Sequence, residues 1–204
     1  IAVFIGCLNT YALDPIIDTP FSQEFHEGYP ITNSGTENEV RAVAVDHNDV
    51  VWAATRSGLF RLTGTRWERV SGATTGPHYC LHVDTAGVVW VGAWNGAYRL
   101  EGDHAVKQDD VDGTITAFAE TIDGLIALGP EGTWQYSGKR WSPFKNNWSR
   151  HVRDTAVLDT GDLYIGTGVG LYLQRGKELD HFYLEDDLYS GDIRALALDT
   201  SDNL

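Results

Sequence analysis

The sequence predicts an all-β chain of repeated four-stranded units, and three observations carry that expectation. A segment recurs four times and begins a fifth time, with glycines at 58, 96, 132 and 170 spaced by 38, 36 and 38 residues. Residues suited to tight turns and to strands are abundant, with 22 glycines and seven tryptophans among 204 residues. No window keeps the apolar stripe of an amphipathic helix. Four short strands joined by tight turns, at a period near 40 residues, is the pattern of one β-propeller blade.

The chain opens on an apolar stretch, IAVFIGC, followed by Thr10-Tyr11-Ala12 in the small-x-small manner of a cleavage site. Residues 1–12 therefore read as the remnant of a signal peptide, and residues 13–39 as a lead-in with an outer strand. Gly6-Cys7 also fits a lipidation site, although Phe4 sits poorly three residues before Cys7. Export, with Cys80 as a small buried thiol, is the preferred reading of the two cysteines. Methionine is absent, so the translated start is missing or processed away. No apolar run approaches the ~20 residues of a membrane span.

The repeats then follow in order. Val40 begins VRAVAVDHNDVVWAATRSGLFRLTGTRWERV, and Tyr79 begins YCLHVDTAGVVWVGAWNGAYRLEG. Ile115 begins ITAFAETIDGLIALGPEGTWQYSGKRWSPF, and Val152 begins VRDTAVLDTGDLYIGTGVGLYLQRGKELDHF. Ile193 starts a fifth, IRALALDTSDNL. The blades are expected at residues 40–77, 78–113, 114–151 and 152–192, with a partial one at 193–204. In the first unit an apolar run (40–45) reaches a polar turn (46–49), a second run (50–55) and a glycine turn (56–58). A third strand (59–62), a turn at Gly64 and a fourth strand with Trp67 near its start complete it. Runs such as 42–45 lack alternation, which suits strands packed on both faces between neighbouring blades.

Turn and packing chemistry accounts for several recurring residues. Asp46, Asp84 and Asp199 end first strands, where their carboxylates can accept backbone N–H groups of their own turns. Gly58, Gly96, Gly132 and Gly170 are expected to supply a positive φ. Trp52, Trp90 and Tyr164, with Ile126 in the third unit, share a position suited to filling the wedge between blades.

These residues resemble the two-component regulator propeller repeat, whose pattern is roughly V-x-x-I-x-x-D-x-x-G-x-(L/V)-W-(V/I)-G-T-x-x-G-L. Blade two carries it from Val83-Asp84-Thr85-Ala86-Gly87 through Val88-Val89-Trp90-Val91-Gly92 to Ala93-Trp94-Asn95-Gly96. Blade one departs at Ala53-Ala54-Thr55 and blade three at Ile126-Ala127-Leu128-Gly129. Glu27-Gly28-Tyr29-Pro30, Asn33 and Glu39-Val40 resemble the lead-in of that family. The resemblance implies a seven-bladed, exported propeller, of a kind that often precedes a membrane span and a histidine kinase and senses carbohydrate-derived ligands. Four blades and a part do not close a ring of seven, so the chain is expected to be a fragment. The resemblance would connect it to a membrane only through a span further downstream.

Propellers bind ligands at the face formed by the interblade loops and the turns between second and third strands. Here that face comprises residues 71–78, 109–113, 145–150 and 185–190, with the turns at 56–57, 94–95 and 130–131. Trp94, Trp148, Tyr79 and Tyr189 are candidate platforms for a sugar ring and Asn95 a neighbouring polar group, each of which could equally serve local packing. Arg41, Arg153 and Arg194 occupy one repeat position near the channel mouth, where guanidinium groups could clamp a carboxylate or sulfate. Glu39 and Asp192 lie beside two of them and could neutralise them instead.

A net charge of −14 repels nucleic-acid backbones and anionic lipid, and it keeps an exported protein soluble. The loops at 46–49 and 159–162 lack the acidic spacing and closing Glu of a calcium loop, so no metal or other cofactor is expected. Nucleophile-elbow, phosphate-loop and dinucleotide motifs are absent, and Glu101, Glu131, His151 and Asp187 are scattered. The reading is an exported, periplasmic or extracellular, ligand-binding or ligand-sensing propeller without enzymatic activity. The alternatives are a secreted scaffold for protein partners and, behind it, a propeller lyase or glycoside hydrolase.

Overall fold

The computed structural model describes residues 28–32, 35–145, 151–176, 178–182, 191–199 and 204. Trp148 and Tyr189, with Cys7 and the signal-peptide remnant, lie outside these residues. Four antiparallel sheets of four strands form, each from strands consecutive in sequence. Blade one comprises β1 (Val40–Val45), β2 (Val51–Thr55), β3 (Leu59–Thr63) and β4 (Arg66–Arg69). Blade two comprises β5 (His78–Val83), β6 (Val89–Ala93), β7 (Gly96–Glu101) and β8 (His104–Lys107). Blade three comprises β9 (Ala117–Thr121), β10 (Gly124–Leu128), β11 (Thr133–Tyr136) and β12 (Trp141–Pro143). Blade four comprises β13 (Val152–Val157), β14 (Leu163–Thr167), β15 (Gly170–Arg175) and β16 (Glu178–Phe182). The repeated units of the sequence are thus the repeated sheets of the fold.

The core lies between blades, since a sheet with two apolar faces must bury both. Trp52, Leu59 and Val70 of blade one pack with Val91, Tyr98 and Leu100 of blade two. Trp90 of blade two packs with Phe118, Leu125 and Trp141 of blade three, and its ring meets those of Tyr136 and Trp141 at 5.0 and 5.4 Å. Ile126 and Leu128 of blade three pack with Leu163, Ile165 and Tyr172 of blade four. The residues after blade four take the next place: Ile193 donates its N–H to the Thr167 carbonyl at 2.9 Å, as Ile115 does to Ala93 at 3.0 Å. Among the described residues 191–199 this start of a fifth blade forms no regular strand.

One expectation fails on β1. Leu81 and Val83 of β5 pack onto the core shared with blade one, whereas Val43 and Val45, at the same places in β1, are 60% and 54% exposed. Among the described residues no blade stands on that side, so β1 is packed on one face only.

Turn geometry corrects a second expectation. Gly96 and Gly170 have φ of 129° and 134°, but Gly58 and Gly132 do not adopt a positive φ. At Gly58 a side chain would instead collide with the Arg69 guanidinium, which lies over the turn and donates to the Ser57 carbonyl at 2.9 Å. Neither φ nor rigid backbone requires glycine there, since the guanidinium end of Arg69 can move aside.

The turn aspartates do more than cap. Asp84 accepts the Val88 N–H with Oδ1 and the Trp90 indole N–H with Oδ2, both at 2.8 Å. Asp46 accepts from Asn48, Val50 and the Trp52 indole in the same way. Each wedge tryptophan is thereby locked to the turn six residues before it. Burial alone would raise the Asp46 pKa, but the bonds from Trp52, Val50 and Asn48 bring it below the usual carboxylate value.

Candidate functional site

The inner strands of three blades share a bulge at the same point. Register shifts occur between Val40 and Ala42, between His78 and Cys80, and between Val152 and Asp154. The extra residues are Arg41, Tyr79 and Arg153. A bulge leaves one residue outside the ladder and re-aims its side chain, so each of the three stands at the same end of its own blade. Blade three has Thr116 there, whose Oγ1 donates to the Val152 carbonyl at 2.9 Å. The described interblade loops, 70–77 and 108–116, and the second turn of each blade lie at this same end.

The three predicted arginines divide between two arrangements. Arg153 Nε lies 3.5 Å and Arg194 Nε 3.1 Å from the two carboxylate oxygens of Asp192. The predicted clamp of three guanidinium groups does not form, because Asp192 engages two of them. Both arginines are exposed, so these pairs hold the side chains weakly, about 0–1 kcal/mol each. Arg41 lies elsewhere, with its guanidinium carbon 4.8 Å from the centre of the Tyr79 ring. Glu39 pairs with Arg56 at 3.3 Å rather than with Arg41. Among the described residues no carboxylate forms a salt bridge with Arg41.

Trp94 occupies the β6–β7 turn and is 47% exposed. Its N–H donates to the Pro77 carbonyl at 3.0 Å, and its indole covers Gly76, where an added Cβ would lie 2.5 Å from Nε1. The backbone bond holds the turn, and the indole lies over Gly76 with its other side exposed. Asn95 does not join it: its Oδ1 accepts the Tyr98 hydroxyl at 3.1 Å, tying the turn to the seam between blades one and two. His78, wholly buried just below, bonds the Gly76 carbonyl at 2.9 Å through Nδ1. Since a carbonyl only accepts, Nδ1 carries the proton. Burial pushes the His78 pKa below the ordinary histidine value, and that outweighs the bond to Gly76.

At the opposite end, the Glu120 carboxylate accepts the Thr85 N–H and hydroxyl at 2.9 and 2.7 Å, and stands 3.5 Å from His82 Nε2. Burial lowers the His82 pKa although Glu120 pulls it up. Burial likewise pushes the Cys80 thiol up, consistent with an inert packing role. Among the described residues no group of three or more His, Cys, Asp or Glu side chains is placed to hold a metal.

No protein-family model and no curated protein matches the chain. Solved structures do. The extracellular domain of the hybrid two-component system BT4673 from B. thetaiotaomicron is similar with a TM-score of 0.69 at 19% identity, over 85% of this chain and 26% of that one. The extracellular domain of BT3049 from the same organism gives 0.68 at 20% identity, over 86% and 29%. A streptogramin B lyase gives 0.60 at 11% identity, over 79% and 59%. The chain is built of β-propeller blades. It spans about a quarter of the two extracellular domains, and at these identities the likeness establishes the architecture alone. Among the described residues no helix is long and apolar enough to cross a membrane.

Proposed function

We propose that this chain is part of an exported, ligand-sensing β-propeller that recognises a carbohydrate-like ligand at the end bearing Arg41, Tyr79 and Trp94. One observation carries the reading: a half-exposed indole lying over Gly76 and a tyrosine-backed arginine with no carboxylate partner among the described residues share one end of the blades. An indole face accepts the C–H face of a sugar ring, and a guanidinium donates to ring hydroxyls or a carboxylate. The architecture shared with extracellular domains of hybrid two-component systems supports export and a sensing role. So does the opening stretch of small and apolar residues. Thermal-shift measurements across a broad oligosaccharide panel test the proposal. A saturable rise in melting temperature that Trp94→Ala removes supports it, and no shift with any saccharide contradicts it.

A propeller lyase is the second reading, favoured by the likeness to streptogramin B lyase. It predicts turnover of a bound compound, and chromatography of the same incubations distinguishes it from binding.

A further inference from the structure

Arg61 and Arg99 occupy one position in successive blades, each directly across the ladder from a wedge tryptophan. Arg61 pairs with Trp52 and Arg99 with Trp90. Residues paired across a ladder share a face of the sheet, so each arginine lies on the side turned to the next blade. In the first seam the Arg61 guanidinium meets two carboxylates. Its Nη2 lies 3.1 Å from Glu68 of β4, and its Nη1 bonds Asp103 in the β7–β8 turn of blade two.

Both carboxylates are replaced in the second seam. Val106 faces Arg99 across the ladder, where Glu68 faces Arg61. The turn of blade three that answers to Gly102-Asp103 is Gly138-Lys139. Gly102 and Gly138 both have a positive φ, and Ser137 bonds Arg140 across the turn where Glu101 pairs with His104. The two turns also stand alike against the wedge. Trp52 packs with Leu100 and Ala105, which flank the first turn, and Trp90 packs with Tyr136 and Trp141, which flank the second. Lys139 therefore takes the place of Asp103, with Arg140 beside it.

Among the described residues no carboxylate forms a salt bridge with Arg99, Lys139 or Arg140. The Arg99 guanidinium carbon lies 5.9 Å from the centre of the Trp90 ring, and its Nε is shielded from water without a hydrogen-bond partner. A shielded donor without an acceptor is unfavourable, and a guanidinium fork matches the paired oxygens of an oxyanion. A local excess of positive charge on a chain of net charge −14 is the complement such a group needs.

We infer that the outer rim of the seam between blades two and three is a binding site for an oxyanion, a carboxylate or sulfate group held between the Arg99 fork and the Lys139 ammonium. The group would stand to Arg99 as the Asp103 carboxylate stands to Arg61. Strand β7 leaves the Trp94 turn and ends at Glu101, at the far end of the blade. The site is thus apart from Arg41, Tyr79 and Trp94 and does not depend on what they recognise.

The test is nitrogen-15 NMR of the Arg99 Nε–H in the 204-residue chain, titrated with sodium sulfate against sodium chloride at matched ionic strength. The resonance is identified by its loss in Arg99→Lys. A saturable shift with sulfate and none with chloride is expected. Lys139→Asp puts the blade-two residue into this exposed turn, and it is expected to abolish the shift and to raise the urea midpoint at low salt. Lys139→Ala removes one cation without replacing it and is expected to weaken the sulfate response. A parallel titration with a short polyglutamate peptide separates the two sources, since the anion that saturates at lower concentration is the better match. No saturable shift with either anion overturns the inference. So does a sulfate shift that persists unchanged in Lys139→Asp.

Discussion

Asp84→Ala tests whether the aspartate–tryptophan lock holds the second seam. In the native chain both carboxylate oxygens are engaged at 2.8 Å, one by Val88 N–H and one by the Trp90 indole. Trp90 is 1% exposed, so its N–H cannot turn to water once the carboxylate is gone. Hydrogen bonds to a charged group contribute about 1.5–3 kcal/mol each, and an orphaned buried donor costs about 1–3 kcal/mol. Val88 is only half-buried and recovers part of its loss from water. The substitution is therefore expected to cost about 2–4 kcal/mol, with Asp84→Asn about half as damaging because an amide oxygen satisfies only one donor. Urea unfolding read by far-ultraviolet circular dichroism gives the magnitude. A double-mutant cycle with Trp90→Phe isolates the pair, since removing the indole N–H removes the orphan. An Asp84→Ala variant within about 0.5 kcal/mol of the native chain would refute the lock, as would strict additivity in the cycle.

Gly92→Ala is expected to destabilise by about 1–3 kcal/mol in the same unfolding assay. Its Cβ would collide with the Cys80 sulfur and lie 2.7 Å from the Ile115 carbonyl, where the next blade approaches. Stability should also fall on mild acidification. The folded pKa of His78 and of His82 is depressed by burial, so the unfolded chain takes up these protons first. The associated stability is fully present above the unfolded histidine value, about 6.5, and is lost as pH drops from there toward the folded value, at no more than about 1.4 kcal/mol per pH unit per histidine. His78→Asn keeps an N–H for the Gly76 carbonyl and removes one titration, so its urea midpoint should change less between about pH 7 and 5. An unchanged pH slope in that variant would exclude His78 as a source. Trp94→Ala, at a half-exposed turn, should leave stability within about 0.5 kcal/mol while weakening any saccharide binding.

The architecture was legible because the repeat is written in residues that local physics uses directly. Asp84, Gly87 and Trp90 mark a strand end, a turn and a wedge, and the chain spells this out in successive units. The bulges were not legible. Arg41 and Tyr79 read as candidate ligand contacts but not as bulge residues, and only the strand pairings, such as His78 with Ala93 and Cys80 with Gly92, reveal the extra residue. The repeat position of the three arginines was readable, and so was the proximity of Asp192 to Arg194. That Asp192 spans Arg153 as well depends on a contact 39 residues apart in sequence. Asn95 read as a partner for ligand because it follows Trp94, whereas the structure turns it toward Tyr98. The glycines at 58 and 96 look alike in the repeat, yet only Gly96 adopts the positive φ that favours glycine. Ile126 was visible as a departure from the aromatic pattern, but that it packs with Leu163 and Tyr172 of the next blade shows only in the fold.

The central claim is that the end of the blades carrying Trp94, Tyr79 and Arg41 receives the ligand. Nitrogen-15 NMR of the indole N–H groups tests it most directly, since Trp94 is half-exposed at that end while Trp52 and Trp90 are buried and bonded to aspartates. Titration with the saccharide giving the largest thermal shift is expected to move the Trp94 resonance progressively to saturation. The Trp52 and Trp90 resonances should stay in place. Saturable binding that leaves the Trp94 resonance unmoved would contradict the claim and place recognition elsewhere on the propeller.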